Sequence, residues 1–284
     1  MPSATIEKNN NILQDTPSYL ENKSALDLFN LKGKVVSITG ASSGIGFEVA
    51  IAVAQAGAHV AMWYNSHPIE KETMKLISSK YGVICKSYKC QVTDYNQVDN
   101  TIRDILNDFG KIDVMIANAG VSWDKGGILD IPSNKDAALE WKKIMDVDLN
   151  SMFYVARSVG KVFRKQKQRG SFIMTASMSG HIVNVPQNQA AYNAAKAGVL
   201  QLSKSLAVEW SKFARVNTIS PGYTQSALTD ALPTEWRDTW NKLTPMGRLA
   251  YPKELVGAYI YLASDASTFT TGADIVIDGG YTCV

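Results

Sequence analysis

The sequence predicts an α/β fold, a doubly wound parallel sheet of seven strands within a single domain, from three observations. From residue 33 onward, short β-branched or apolar runs alternate with longer segments of helical period. No repeat, linker or shift of composition interrupts the alternation. Several runs are apolar on both faces, and strands joined through helices run parallel with right-handed crossovers, so the sheet is covered on both sides.

The elements follow in order. Strands are expected at 35–39 (VVSIT), 59–63 (HVAMW), 84–89 (ICKSYK), 113–117 (DVMIA), 171–175 (SFIMT), 215–219 (RVNTI) and 274–277 (DIVI). Between them, apolar residues at mixed three- and four-residue spacing predict helices over 44–56, 68–80, 95–109, 136–167, 188–212 and 252–263. Asp94 is expected to cap the third of these. Residues 1–30 read as a polar, Asn-rich extension, partly mobile, whose end at 25–29 docks on the body formed by 31–284.

Composition narrows the function. Of 284 residues, 45% are hydrophobic, enough for a substantial core. The net charge is +3 with scattered basic residues, which argues against nucleic acid as a partner. No apolar run reaches the roughly 18 residues of a membrane span. The N-terminus lacks the apolar stretch of a signal peptide and the arginines of a transit peptide. Cys85, Cys90 and Cys283 form no CxxC and suit a reducing compartment, so a cytoplasmic location is expected.

Directly after the first strand stands Thr39-Gly40-Ala41-Ser42-Ser43-Gly44-Ile45-Gly46, opening a helix. Gly40 permits a tight turn, Gly44 lets the main chain approach a pyrophosphate, and Gly46 lets helix and strand pack closely, while the helix N-terminus supplies free N–H groups. This is a nucleotide-phosphate turn on a Rossmann-type sheet. Downstream, Ser177 follows the fifth strand, and Tyr192 and Lys196 lie four apart on one helix face. An ammonium beside a phenol stabilises the phenolate and brings it toward acid–base work near neutral pH.

With Asn118-Ala119-Gly120 after the fourth strand and Pro221-Gly222 after the sixth, these motifs resemble the short-chain dehydrogenase/reductase family over about residues 33–284. The segments 61–68, 214–223 and 277–283 look like those of yeast NADPH-dependent sorbose reductases and (S)-specific carbonyl reductases. The resemblance implies Ser177, Tyr192 and Lys196 as catalytic residues, and Pro221, Gly222, Tyr223 and Thr224 over a nicotinamide. It also implies a cofactor contact at Asn118, Ala119 and Gly120. The sequence departs from the family at two positions. Asp148 stands where the family has an asparagine whose main-chain carbonyl holds a water beside the lysine, and an aspartate keeps that relay. Gln91, next to Val92, replaces an aspartate that accepts a hydrogen bond from adenine; its amide oxygen can still accept that bond, so Gln91 and Val92 stay among the expected cofactor contacts.

No carboxylate ends the second strand. Tyr64-Asn65-Ser66-His67 leaves nothing acidic before Glu70 to repel a 2′-phosphate, which favours NADP(H) over NAD(H). Ser42, Ser43, Asn65, Ser66 and His67 are the candidate anchors, with Lys71 an outer contact. Trp123, His181, Val183, Pro186, Tyr223 and Trp236 are the candidate substrate walls. His181 has no partner at metal-ligand spacing, and no metal is expected. Apolar residues on more than one face of 136–167 (Met152, Phe153, Val155, Val159, Phe163) and of 188–212 (Val199, Leu200, Leu202, Leu206, Val208, Trp210) predict a subunit interface. Similar reductases assemble as tetramers through these two helices and the C-terminal strand, so a homotetramer is expected, with a dimer as the alternative. The expected function is NADPH-dependent reduction of a ketone, aryl or keto-sugar, to a secondary alcohol. A polyol or sugar dehydrogenase, an acyl-carrier reductase and a non-catalytic NADP-binding sensor are the alternatives.

Overall fold

The computed structural model describes residues 23–166, 168–226, 229 and 233–284. The elements are β1 (Val35–Ile38), α1 (Gly44–Gln55), β2 (His59–Tyr64), α2 (Lys71–Tyr81), β3 (Cys85–Lys89), α3 (Tyr95–Phe109), β4 (Val114–Ala117) and α4 (Asn134–Met145), then α5 (Ser151–Lys165), β5 (Gly170–Thr175), α6 (Ala190–Glu209), β6 (Ala214–Pro221), α7 (Thr234–Leu243), α8 (Pro252–Ala263) and β7 (Asp274–Ile277). All strands pair in parallel in the order β3-β2-β1-β4-β5-β6-β7.

Strands β1, β4, β5 and β6 are buried at every position, which is why their sequences are near-continuous apolar runs rather than alternating ones. One face of the sheet packs on α3, α5 and α6 through Ile102, Val159, Phe163 and Val199. The other packs on α1, α2 and α8 through Val49, Ile77, Leu255 and Tyr259. The one indole inside this sheet is satisfied: Trp63 Nε1 donates to Ser37 Oγ at 2.8 Å. Register pairs Ile38 with Ile116, Ala117 with Met174 and Thr175 with Ile219, so the loops after β1, β4, β5 and β6 leave the same edge. The strand order reverses between β1 and β4, and a crevice opens there.

Three expectations change. The single helix over 136–167 is two helices, α4 and α5, separated by a π-turn at Asp146–Asn150 that rotates Asp148 inward. Helix α7 was not expected, because its sequence is polar and of its side chains only Trp240 is buried. Met152, Val155, Val159 and Phe163, with Val199, Leu200, Leu206 and Trp210, are not left for another subunit. They are buried in the chain's own core, where α5 and α6 pack on the sheet and its neighbouring helices at once. Phe153 and Val208 do remain exposed, and Leu202 is partly buried.

Residues 1–22 of the expected extension lie outside the described residues. Its end is tied to the body: Lys23 and Lys34 both pair with Asp265, at 2.7 and 2.8 Å, and the Phe29 ring lies 6.4 Å from that of Tyr261. Among the described residues no helix is long and apolar enough to cross a membrane.

Candidate active site

A cavity of about 740 Å³ fills the crevice at the strand ends. Its floor begins with the turn after β1. Gly40 and Gly44 take φ of +65° and +55°, left-handed values that favour glycine. A Cβ on Gly46 would stand 2.2 Å from the Gly40 carbonyl oxygen and 2.6 Å from Asn118 Nδ2, so only glycine brings α1 this close. Gly46 therefore sits beneath the cavity, whereas Gly40, Ser42, Ser43, Gly44 and Ile45 line it. The Ser43 side chain caps none of the first N–H groups of α1. Those free donors and the positive end of the helix face the cavity, and the glycine cradle leaves room for a phosphate pair: the turn fits a dinucleotide.

The loop after β4 is clamped to that turn. Thr39 Oγ1 accepts from the backbone N–H of Asn118 and of Ala119, both at 2.9 Å. Asn118 Nδ2 donates to the carbonyls of Thr39 and Gly40 at 3.2 and 3.3 Å, and Asn118 Oδ1 accepts from Thr175 Oγ1 at 3.1 Å. The Asn118 side chain is thus spent on holding three strand ends together; Ala119 and Gly120 present main chain to the cavity. At the far end Asn65, Ser66, His67, Gln91 and Val92 line the wall with no carboxylate among them. Lys71 is elsewhere, on a shallow depression with Met74 and Cys85. Asp94 caps α3, accepting from the N–H of Asn96 and Gln97 at 2.9 and 3.3 Å.

The other end brings together the three residues expected to be catalytic. Ser177, at the end of β5, accepts the Ser179 N–H at 3.1 Å and donates to Ser179 Oγ at 3.0 Å. Tyr192 and Lys196 share one face of α6, with Nζ 5.4 Å from the phenol ring centroid. Lys196 is buried and donates to the Thr175 carbonyl at 3.1 Å. Its Nζ is also 3.2 Å from Asp148 Oδ1, whose carboxyl is pushed up by burial against the pull of Lys196 and of the Val121 N–H. Burial would lower the ammonium's pKa, but Tyr192 and Asp148 outweigh it and hold it above the usual lysine range. The Tyr192 phenol is pushed up by burial and by Asp148, against the pull of Lys196 and of a hydrogen bond with Ser177.

Pro221, Gly222, Tyr223 and Thr224 close the cavity from β6, and Trp123, Tyr223 and Trp236 line it. His181, Val183 and Pro186 do not: His181 Nε2 turns away to Asp274 Oδ2 at 2.8 Å, and Val183 is exposed. The residues that take their place are polar. Asn184 and Gln187 each donate to the Tyr223 hydroxyl at 2.9 Å, and Gln187 accepts from Trp240 Nε1 at 2.9 Å. Gln189 donates to Asn184 at 2.7 Å. Tyr223 and Trp240 stack at 4.1 Å. These amides lie in a loop without periodicity, so no sequence pattern pointed to them.

A family model described as Enoyl-(Acyl carrier protein) reductase matches residues 40–282. A Yarrowia lipolytica protein named "Probable NADP-dependent mannitol dehydrogenase" is 58% identical over 94% of this chain and 94% of its own. A sorbose reductase of Candida albicans is 55% identical over 92% and 91%. The chain belongs to the short-chain dehydrogenase/reductase family. Among solved structures, the NADPH-dependent 3-quinuclidinone reductase of Rhodotorula rubra is 43% identical, with a TM-score of 0.86 over 92% of this short-chain dehydrogenase/reductase and 96% of that chain.

Proposed function

We propose that the protein is an NADP(H)-dependent reductase that converts a keto-sugar to its sugar alcohol, and the reverse. The observation that carries this is one cavity holding Ser177, Tyr192 and Lys196 at one end and, at the other, a wall of Asn65, Ser66 and His67 without a carboxylate. Such a wall accepts a 2′-phosphate that an acidic residue would repel. The N-terminus of α1 would hold the pyrophosphate, Tyr192 and Lys196 the nicotinamide ribose, and Pro221 to Thr224 the nicotinamide. NADPH, when bound, supplies the hydride.

The chain's own groups supply the rest. Ser177 and Tyr192 hydroxyls hydrogen-bond the carbonyl oxygen and polarise it. As the carbonyl carbon is reduced, Tyr192 gives its proton to that oxygen, and the Lys196 ammonium stabilises the phenolate left behind. Asp148 sits behind the lysine. The relatives named for mannitol and sorbose support a polyhydroxylated substrate, as does the wall of Asn184, Gln187 and Gln189, whose amides match hydroxyl groups. Trp123, Trp236 and Trp240 give apolar surface for the carbon chain. We also assign the protein to the cytoplasm and to a homotetramer; exposed Phe153, Val208 and Val276 are the apolar surface that supports assembly.

The test is oxidation of NADPH and NADH by purified protein, with L-sorbose and with acetophenone in parallel. Turnover with NADPH and the ketose is expected. Equal use of NADH contradicts the cofactor assignment, preference for acetophenone contradicts the sugar, and NADPH binding with no turnover of any carbonyl favours the sensor.

A further inference from the structure

Resting on the reductase assignment above, we propose that Asp148 compensates the charge of Lys196 and so keeps Tyr192 in its proton-donating form, biasing the site toward carbonyl reduction. Asp148 is fully buried and lies within the π-turn between α4 and α5. Its Oδ2 accepts the Val121 N–H at 3.2 Å. Its Oδ1 stands 3.2 Å from Lys196 Nζ, yet in a geometry that leaves that oxygen with no hydrogen-bond donor. A Cβ on Gly120 would come within 2.7 Å of Oδ1, so the glycine leaves the space this carboxylate occupies.

Carboxylate, ammonium and phenol therefore lie in sequence. An isolated ammonium beside Tyr192 would favour the phenolate; one paired with a buried anion does so less. An amide at 148 cannot reproduce the arrangement. Turned with its oxygen to Val121, it sets an NH₂ against the ammonium, and turned the other way it sets the NH₂ against the Val121 N–H.

Among the described residues, few other charges bear on the phenol. Its own helix contributes Lys196, and the π-turn contributes Asp148, since Asp146 is turned outward to Lys142. The loop segments lining the cavity after β4 (118–123) and β5 (176–179), and Asn184, Gln187 and Gln189, carry no ionisable group. Tyr223, after β6, is kept neutral by its burial. His181 faces Asp274 instead.

The experiment is the pH dependence of kcat/KM for sugar-alcohol oxidation with NADP⁺ and for ketose reduction with NADPH, in wild type, Asp148→Asn and Asp148→Ala. Removing the anion lets the first proton leave the Tyr192–Lys196 pair more easily. The rising limb of oxidation and the falling limb of reduction should both move to lower pH, by about one pH unit. Asp148→Ala should shift in the same direction and lose more kcat, because the Val121 N–H also loses its acceptor. Variants that bind NADPH and keep the wild-type midpoints overturn the proposal while the reductase assignment stands; a wild type without turnover overturns both. Should neither variant fold, the ultraviolet difference between wild type and Tyr192→Phe decides. No phenolate signal of Tyr192 is expected at pH 8, and a phenolate present there refutes the role of Asp148.

Discussion

Replacing Thr39 with valine keeps the side-chain shape and removes one oxygen. That oxygen accepts two backbone N–H groups, of Asn118 and Ala119, each at 2.9 Å, and Thr39 is 2% exposed, so water cannot take its place. An orphaned buried donor costs about 1–3 kcal/mol, and two with partial relaxation cost roughly 2–4 kcal/mol. At about 2–4 °C per kcal/mol for a chain of this size, the melting temperature should fall by about 4–16 °C. The same loop presents Ala119 and Gly120 to the cavity, so NADPH affinity should weaken several-fold alongside. Thermal unfolding by circular dichroism and NADPH titration by protein fluorescence read both. A Thr39→Val protein that melts within about 2 °C of wild type and binds NADPH equally would refute the clamp, since no acceptor is available to replace the hydroxyl.

Two further substitutions separate cofactor choice from packing. Asn65→Asp places a carboxylate in the wall of Asn65, Ser66 and His67, which has none; NADPH should bind at least about tenfold more weakly, roughly 1.4 kcal/mol, while NADH binding holds or improves, as read by titrating both. Gly170→Ala would set a methyl 2.3 Å from the buried Phe163 ring, far from the cavity. Its stability in urea should fall by about 1–3 kcal/mol with NADPH affinity unchanged.

The central strands were legible because they are buried on both faces: VVSI, VMIA and SFIMT leave no alternation to misread. Ser177, Tyr192, Lys196 and the glycine turn were legible as short patterns whose order along the chain matched the strand ends. The π-turn was not, since Asp146 to Asn150 continue the helical period and the break arises from a tertiary demand, the reach of Asp148 to Val121 and Lys196. Helix α7 was hidden by its polarity, and the amide wall by its place in an irregular loop. The covered faces of α5 and α6 show the converse error. Helical period tells how much of a helix is apolar but not whether the chain's own core or a second chain covers it.

The central claim is that Tyr192 is the proton donor of an NADPH-dependent carbonyl reduction. It is tested most directly by NADPH oxidation at saturating ketose in wild type and Tyr192→Phe, with NADPH affinity measured on the same samples. Loss of a general acid predicts a fall in kcat of about 10²–10⁴-fold with NADPH affinity within a few-fold of wild type. A Tyr192→Phe protein that binds NADPH and turns over at the wild-type rate would contradict it.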